Sequence, residues 1–201
     1  MADVILDALR HGEPVGGRRY RGYGVDDPLS EKGWRQMWQA VENADPWNRI
    51  VTSPLVRCRD FAEALGRRHG VPVQVEPDLR EVGFGAWEGR TPHQVREEDP
   101  EGHAAFYRDP VRCRPAGAED LEAFGRRVAA VYDTLATTAE REGERVLMVV
   151  HAGVIRAMVG HVLQAPPAAW YRVQVDHAAI TRFCRSGGID RLLFHNRLRL
   201  E

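Results

Sequence analysis

Short apolar runs alternate along this chain with longer stretches whose apolar residues recur at helical spacing. Val4-Ile5-Leu6-Asp7-Ala8-Leu9 and Val146-Leu147-Met148-Val149-Val150 are such runs, and each leads within two residues into a histidine, His11 or His151. Runs of this length and composition, closed by glycine, read as strands buried on both faces of an α/β sheet. Arg49 to Thr52 and Val73 to Val75 are shorter strand signals, and Ala179 to Arg185 and Arg191 to His195 are two late ones. Ser30 reads as the cap of a helix running to about Glu42, with Trp34, Met37, Trp38 and Val41 on one face. Ser53-Pro54 reads as the start of a helix ending near Gly70, serine capping and proline in first position. Thr91-Pro92-His93-Gln94 matches a capping box before a short helix. Further helices are expected from about Glu119 to Arg141 and from Gly153 to Leu163.

This order predicts one domain over residues 1–201: a three-layer α/β/α sandwich around a mostly parallel mixed sheet, with a small helical cap insertion at about 88–118. That insertion is either a cap over a site or a plain surface excursion. In open α/β sheets the ligand crevice lies outside the carboxyl ends of the strands. His11 and His151 are therefore expected on one rim, with Arg10 beside the first.

Composition narrows the partners. The 201 residues carry a formal net charge of −1, so no field draws the whole molecule to a polyanion, and nucleic acid is not expected. Only Lys32 among the 28 basic residues is lysine, an arginine bias that by itself says nothing of phosphate. The N-terminus lacks the features of a signal peptide, and no apolar run approaches the ~20 residues of a membrane span. Cys58, Cys113 and Cys184 are odd in number, scattered and without CxxC spacing. A reducing, cytoplasmic setting is expected, without disulfides, zinc or membrane partner. Oligomeric state is left open, with a homodimer the state considered.

The candidate chemistry gathers around His11. An imidazole at the reference pKa of about 6.5 is available as a neutral nucleophile near neutrality, and Arg10 adds an adjacent guanidinium. Gly12 permits close approach of a ligand to the backbone. Arg57, in the turn after Thr52-Ser53-Pro54, is either a surface residue or a fork for phosphate oxygens at a helix N-terminus. Its neighbour Arg59 is expected to point away. Glu81 lies among glycines and aromatics in Leu79 to Gly89; it is either a carboxyl kept protonated by burial, or a salt-bridge partner of Arg80 or Arg90. His151 either donates to phosphoryl oxygens or is satisfied by strand-end backbone.

Rival patterns fail. A cysteine phosphatase loop needs Arg six positions after Cys, where Ala64, Glu119 and Asp190 stand. There is no GxxxxGK[ST], GxSxG or HExxH, and His93 and His103 lack tight ligand spacing, so no metal and no cofactor are expected.

Read together, Leu9-Arg10-His11-Gly12-Glu13, Asp26 to Gly33, Thr52 to Cys58, Leu79 to Gly89 and Val150 to Arg156 resemble, in order, the motif blocks of the histidine phosphatase superfamily. The resemblance implies a phosphohistidine at His11, a phosphate pocket of Arg10, Arg57 and His151, and Glu81 as proton donor. It also points to Arg21 and Gly22 as substrate-binding positions. Relatives often carry Asn where Gly17 stands and Gln where Arg21 stands; Arg18, Arg19 or Arg21 either compensate or are solvent-exposed loop residues. Within the family the wording of Glu13-Pro14, Arg19 to Gly22 and the acid block is most similar to alpha-ribazole phosphatases. The implied substrate is alpha-ribazole 5′-phosphate, a cobalamin precursor. A broad or sugar-phosphate phosphatase is the alternative within the enzyme class, and a catalytically silent phospholigand-binding module is the rival outside it.

Overall fold

The computed structural model of the protein describes residues 3–44 and 47–200. The two apolar runs form β1 (Val4–Arg10) and β4 (Val146–Val150), and β2 (Arg49–Thr52), β3 (Val73–Val75), β5 (Ile180–Ser186) and β6 (Ile189–Arg197) complete one six-stranded sheet. Its order is β3-β2-β4-β1-β5-β6. The first four of these neighbours run parallel, and β5 and β6 are antiparallel additions on the β1 side. The mixed α/β sandwich expected from the sequence is the architecture found.

Strand alternation assigns side chains to two cores. Val4, Leu6, Ala8, Val51, Val146, Met148 and Val150 face one layer, with α5 (Leu121–Glu142) and α6 (Ala152–Val162). Leu9, Ile50, Leu147 and Val149 face the other, with α1 (Glu31–Ala40) and α2 (Val56–His69). Both faces of the central strands are covered, as their near-continuous apolar sequence requires.

Asp7 breaks that apolar pattern and is fully buried. Arg182, its register partner on β5, donates from Nε to Oδ1 at 2.8 Å and from Nη2 to Oδ2 at 3.0 Å. Trp47 Nε1 donates to Oδ2 at 2.9 Å. A cross-strand ion pair thus joins β1 to the antiparallel β5.

Some boundaries differ from the sequence expectation. α2 begins at Val56 rather than Pro54, and Leu55 caps it without a side-chain bond. Ser53 Oγ accepts the Leu55 N–H at 3.3 Å, one residue short of the helix, and also bonds His151, while Asp26 Oδ1 takes the Val56 N–H at 2.9 Å. α5 is capped by Asp120. Residues 88–118 hold the expected α3 (Pro92–Glu98), with its capping box, and a second helix α4 (Pro100–Arg108), started by Asp99 and Pro100 and not foreseen. Phe106 of α4 is buried against Phe84, Trp87 and Tyr171. No helix among the described residues is long and apolar enough to cross a membrane.

Removing the fully buried carboxylate takes away the acceptor of both Arg182 and Trp47, an effect of about 3 kcal/mol. Asp7→Ala is expected to lower unfolding free energy by that order in urea titrations. Asp7→Asn, which keeps an acceptor for Trp47, is expected to lose less.

Candidate active site

The parallel strands β1, β2 and β4 end at one edge of the sheet, and Arg10-His11, Ser53 and His151 emerge there together. The His11 amide donates to Val150 O at 3.0 Å, and the rings of His11 and His151 lie edge to face with centroids 5.2 Å apart. β5 is antiparallel to β1 and pairs Ile180 with Leu9. Its first residue therefore lies at the same edge, and the preceding His177 stands with its ring centroid 5.8 Å from that of His11.

The ring of His11 is fixed by its own backbone. Nδ1 lies 2.8 Å from Gly12 O. A carbonyl only accepts, so Nδ1 carries the proton and Nε2 presents a lone pair. Gly12 is there for space: a Cβ would meet Gly33 O at 2.2 Å, and one on Gly33 would meet Glu13 O at the same distance. Ser30 Oγ caps α1 through the Gly33 N–H at 3.0 Å and donates to Glu13 O at 2.8 Å. The start of α1 is thereby clamped to the His11 turn.

Two guanidiniums bear on the His11 ring. Arg57 is 1% exposed; Nη1 donates to Val25 O at 3.0 Å and Nη2 to Gly22 O at 2.8 Å, with Asp26 Oδ1 3.6 Å away. Arg10 Nη1 donates to Val175 O at 2.6 Å. Among the described residues the Nε–H groups of both arginines are buried without a hydrogen-bond partner. Burial, the largest cause, brings the pKa of Arg10 down to about 10. The same burial, reinforced by the Arg10 and Arg57 charges, pushes His11 and His151 well below the usual imidazole range. His177 falls to about 4, by burial first and then by Arg10.

Glu81, buried, reaches this region from the loop after β3. Its Oε1 accepts from Val82 N at 2.9 Å and its Oε2 from Gly153 N at 3.2 Å. A Cβ on Gly153 would fall 2.3 Å from Oε1, so the bare backbone at the start of α6 is what admits the carboxyl. The salt-bridge alternative is not what forms: Arg80 pairs with Asp78, and Arg90 with Glu98.

The sequence reading thus placed Arg10, His11, Arg57, Glu81 and His151 in one neighbourhood, and the structure brings them together. His151 is satisfied, though not by strand-end backbone: Nε2 lies 2.7 Å from Ser53 Oγ, and Cys58 Sγ is 3.6 Å from the same nitrogen. Arg21 is buried but turned into its own loop, donating to Asp27, Val15 O and Gly17 O. Gly22 contributes its carbonyl to Arg57. Arg19 donates to Gly16 O and Gly89 O, Arg18 is exposed, and Arg59 pairs with Asp60. His177 and Ser53 are the members that sequence reasoning missed. The signal for His177 was its place just before a strand antiparallel to β1. Among the described residues no group of three or more His, Cys, Asp or Glu is placed to hold a metal ion.

A family model described as the histidine phosphatase superfamily (branch 1) matches residues 6–197. The chain belongs to that superfamily. It is 35% identical over 178 residues to a bifunctional protein of Mycobacterium tuberculosis, a match covering 86% of this chain and 48% of the relative. The chain thus spans about half the length of that relative. It is 32% identical to the adenosylcobalamin/alpha-ribazole phosphatase of Salmonella typhimurium, over 84% of each chain. Among solved structures, native mycobacterial glucosyl-3-phosphoglycerate phosphatase superposes with a TM-score of 0.86 at 28% identity, covering 98% of this chain and all of the other. That phosphatase has also been solved with inorganic phosphate.

Three neutral imidazoles at one edge imply a pH signature. Unfolded histidines take up protons near pH 6.5, whereas folded His11, His151 and His177 resist until lower pH. Stability is therefore full above about pH 6.5 and falls as pH drops below it, the loss due to His177 levelling off near its folded value of about 4. Urea midpoints are expected to fall between pH 7.5 and 5.5, and to fall less in His177→Gln. A midpoint that rises on acidification in this window would contradict the assignment.

Proposed function

We propose that this histidine phosphatase domain hydrolyses a phosphate monoester of a small metabolite through a phosphohistidine on His11. The observation that carries the reading is a neutral imidazole with a free Nε2, flanked by two buried guanidiniums whose Nε–H groups have no partner. Orphaned charged donors beside a lone pair are suited to the oxygens of a phosphoryl group.

In the first step Nε2 attacks phosphorus, the P–N bond forms and the ester P–O bond breaks. Arg10 and Arg57 offset the charge on the phosphoryl oxygens, a role that needs no metal ion. Glu81 in its acid form gives a proton to the leaving oxygen. In the second step water attacks phosphorus, Glu81 takes a proton from it, and His11 leaves as the neutral imidazole. His151 stands beside the nucleophile as a pocket wall; reaching a phosphoryl oxygen would require it to exchange its bond with Ser53.

For the substrate we propose alpha-ribazole 5′-phosphate, supported by the wording of the acid block and by the similarity to the Salmonella enzyme of that name. A sugar-phosphate ester is the second reading, supported by the superposition on glucosyl-3-phosphoglycerate phosphatase. A turnover screen against both substrates separates them. Cys58 and Cys184 are buried as free thiols and Cys113 is exposed, which supports a reducing, cytoplasmic setting. No nucleic acid or membrane partner is proposed, and the oligomeric state is left open. The helices α3 and α4 are proposed to cap the site, supported by their aromatic packing beside the Glu81 loop.

Quenching without acid during turnover, followed by intact-mass measurement, is expected to show one phosphoryl adduct that His11→Ala lacks. An adduct surviving that substitution would remove His11 as nucleophile. A silent binding module would show no adduct and no turnover of p-nitrophenyl phosphate.

Glu81→Gln keeps the shape but cannot donate a comparable proton. General acid catalysis is worth roughly 10²–10⁴-fold where the leaving group is basic. Single-turnover phosphorylation by an alkyl phosphate is expected to fall by that order, while p-nitrophenyl phosphate, with its weakly basic leaving group, is affected far less. Equal losses would assign Glu81 to positioning.

A further inference from the structure

His177 stands at the rim without a task in the scheme above. Its ring centroid lies 5.8 Å from that of His11, tilted by 43°, and it is partly exposed. Among the described residues the imidazole has no hydrogen-bond partner. The segment holding it is fixed from both sides. Arg10 Nη1 donates to Val175 O and the Arg10 amide to Ala179 O, while the Ala178 amide donates to His11 O at 3.3 Å. Asp176, adjacent, is tied to Gln174 and Asn196.

The backbone is strained at the residue that aims it. Ala178 is buried with φ of 57°, a left-handed conformation that a residue with a Cβ rarely adopts. Such strain clusters at functional sites, where the surroundings enforce it. Here it turns the chain between β5 and residue 177 and leaves an untied imidazole beside the nucleophile.

In the loop across the site Arg18 is exposed, and the other candidate positions are spent. Gly17 has no side chain, Arg19 is committed to Gly16 O and Gly89 O, and Arg21 is committed to Asp27 and two carbonyls. We infer that His177 is a phosphate-contacting residue, its ring N–H donating to an oxygen of the phosphoryl group held by Arg10 and Arg57. This inference rests on the phosphatase reading of His11.

The field around His177 makes the contact measurable. Arg10, Arg21 and Lys32 disfavour its protonation and Glu13 favours it, with Asp176 and His11 as its other charged or titratable neighbours. A bound phosphate anion adds negative charge at contact distance and is expected to raise its titration midpoint by about one unit or more.

The test combines inhibition with titration. Wild-type protein is expected to hydrolyse p-nitrophenyl phosphate and to be inhibited by orthovanadate. His177→Ala is expected to weaken that inhibition about tenfold or more, the size of one hydrogen bond to a charged group, and His177→Gln less. In wild-type protein, burial and the Arg10 charge are expected to set the NMR titration midpoint of His177 at about 4 without anion, and saturating inorganic phosphate is expected to raise it. Should the alanine variant fail to fold, the wild-type titration decides alone. Turnover with an unmoved midpoint and unchanged vanadate inhibition would overturn the role of His177 only. A wild-type protein that neither turns over the aryl phosphate nor binds vanadate would overturn the phosphatase reading, and this inference with it.

Discussion

A guanidinium taken out of water must have its N–H groups met and its charge balanced, and at this site the two requirements are separated. Backbone carbonyls meet the Nη groups: Val175 O for Arg10, and Val25 O and Gly22 O for Arg57. Carbonyl dipoles satisfy donors without cancelling the charge. Asp26, the nearest carboxylate to Arg57, is 3.6 Å away and partly exposed. Burial of a charge is unfavourable, and the lowered pKa of Arg10 registers it even though the Glu81 and Asp176 carboxylates offset part of the effect. The fold accepts that cost at one sheet edge, where an anion would remove it.

Much of the segment between β1 and α1 exists to hold those carbonyls in place. Gly22 has φ of 55°, and a Cβ there would collide with the carboxylate of Glu88, so only glycine brings its carbonyl to Arg57. Asp26 both stands near Arg57 and receives the first N–H of α2, the helix that carries Arg57. Asp27 pins Arg21, whose other bonds draw together Val15 and Gly17. Arg19 and Arg21 of the loop thus serve internal ends, stapling carbonyls, whereas Arg10 and Arg57 beside it each keep a buried Nε–H unspent among the described residues.

That distinction explains what the sequence could and could not show. The apolar runs before His11 and His151, and the rule that ligands gather at carboxyl ends of parallel strands, were sufficient to bring both histidines to one edge. Thr91 and Gln94 announced α3 because a capping box is a local interaction. Ser53 misled because its local chemistry suits a cap, while a tertiary partner, His151, claims its hydroxyl. Arg21 misled because a loop guanidinium beside a site looks available until its acceptors are known. His177 was hidden by topology: a residue before a strand faces the site only if that strand is antiparallel to β1, and strand direction is not written in apolar periodicity.

The neutral histidines and the unbalanced arginines are two sides of one arrangement. Burial first, and then the Arg10 and Arg57 charges, keep the His11 imidazole unprotonated where an exposed one would begin to charge, so its lone pair persists into mildly acidic conditions. The same cations that help to suppress protonation would attract an anion to the edge of the ring. Were Arg10 and Arg57 paired with buried carboxylates, the donors would be spent and the field on His11 largely cancelled. Holding them with carbonyls leaves the neutral His11 ring and the two cations in one electrostatic state, and the Glu81 carboxyl, tied to Val82 N and Gly153 N, bears on that state through its charge beside Arg10.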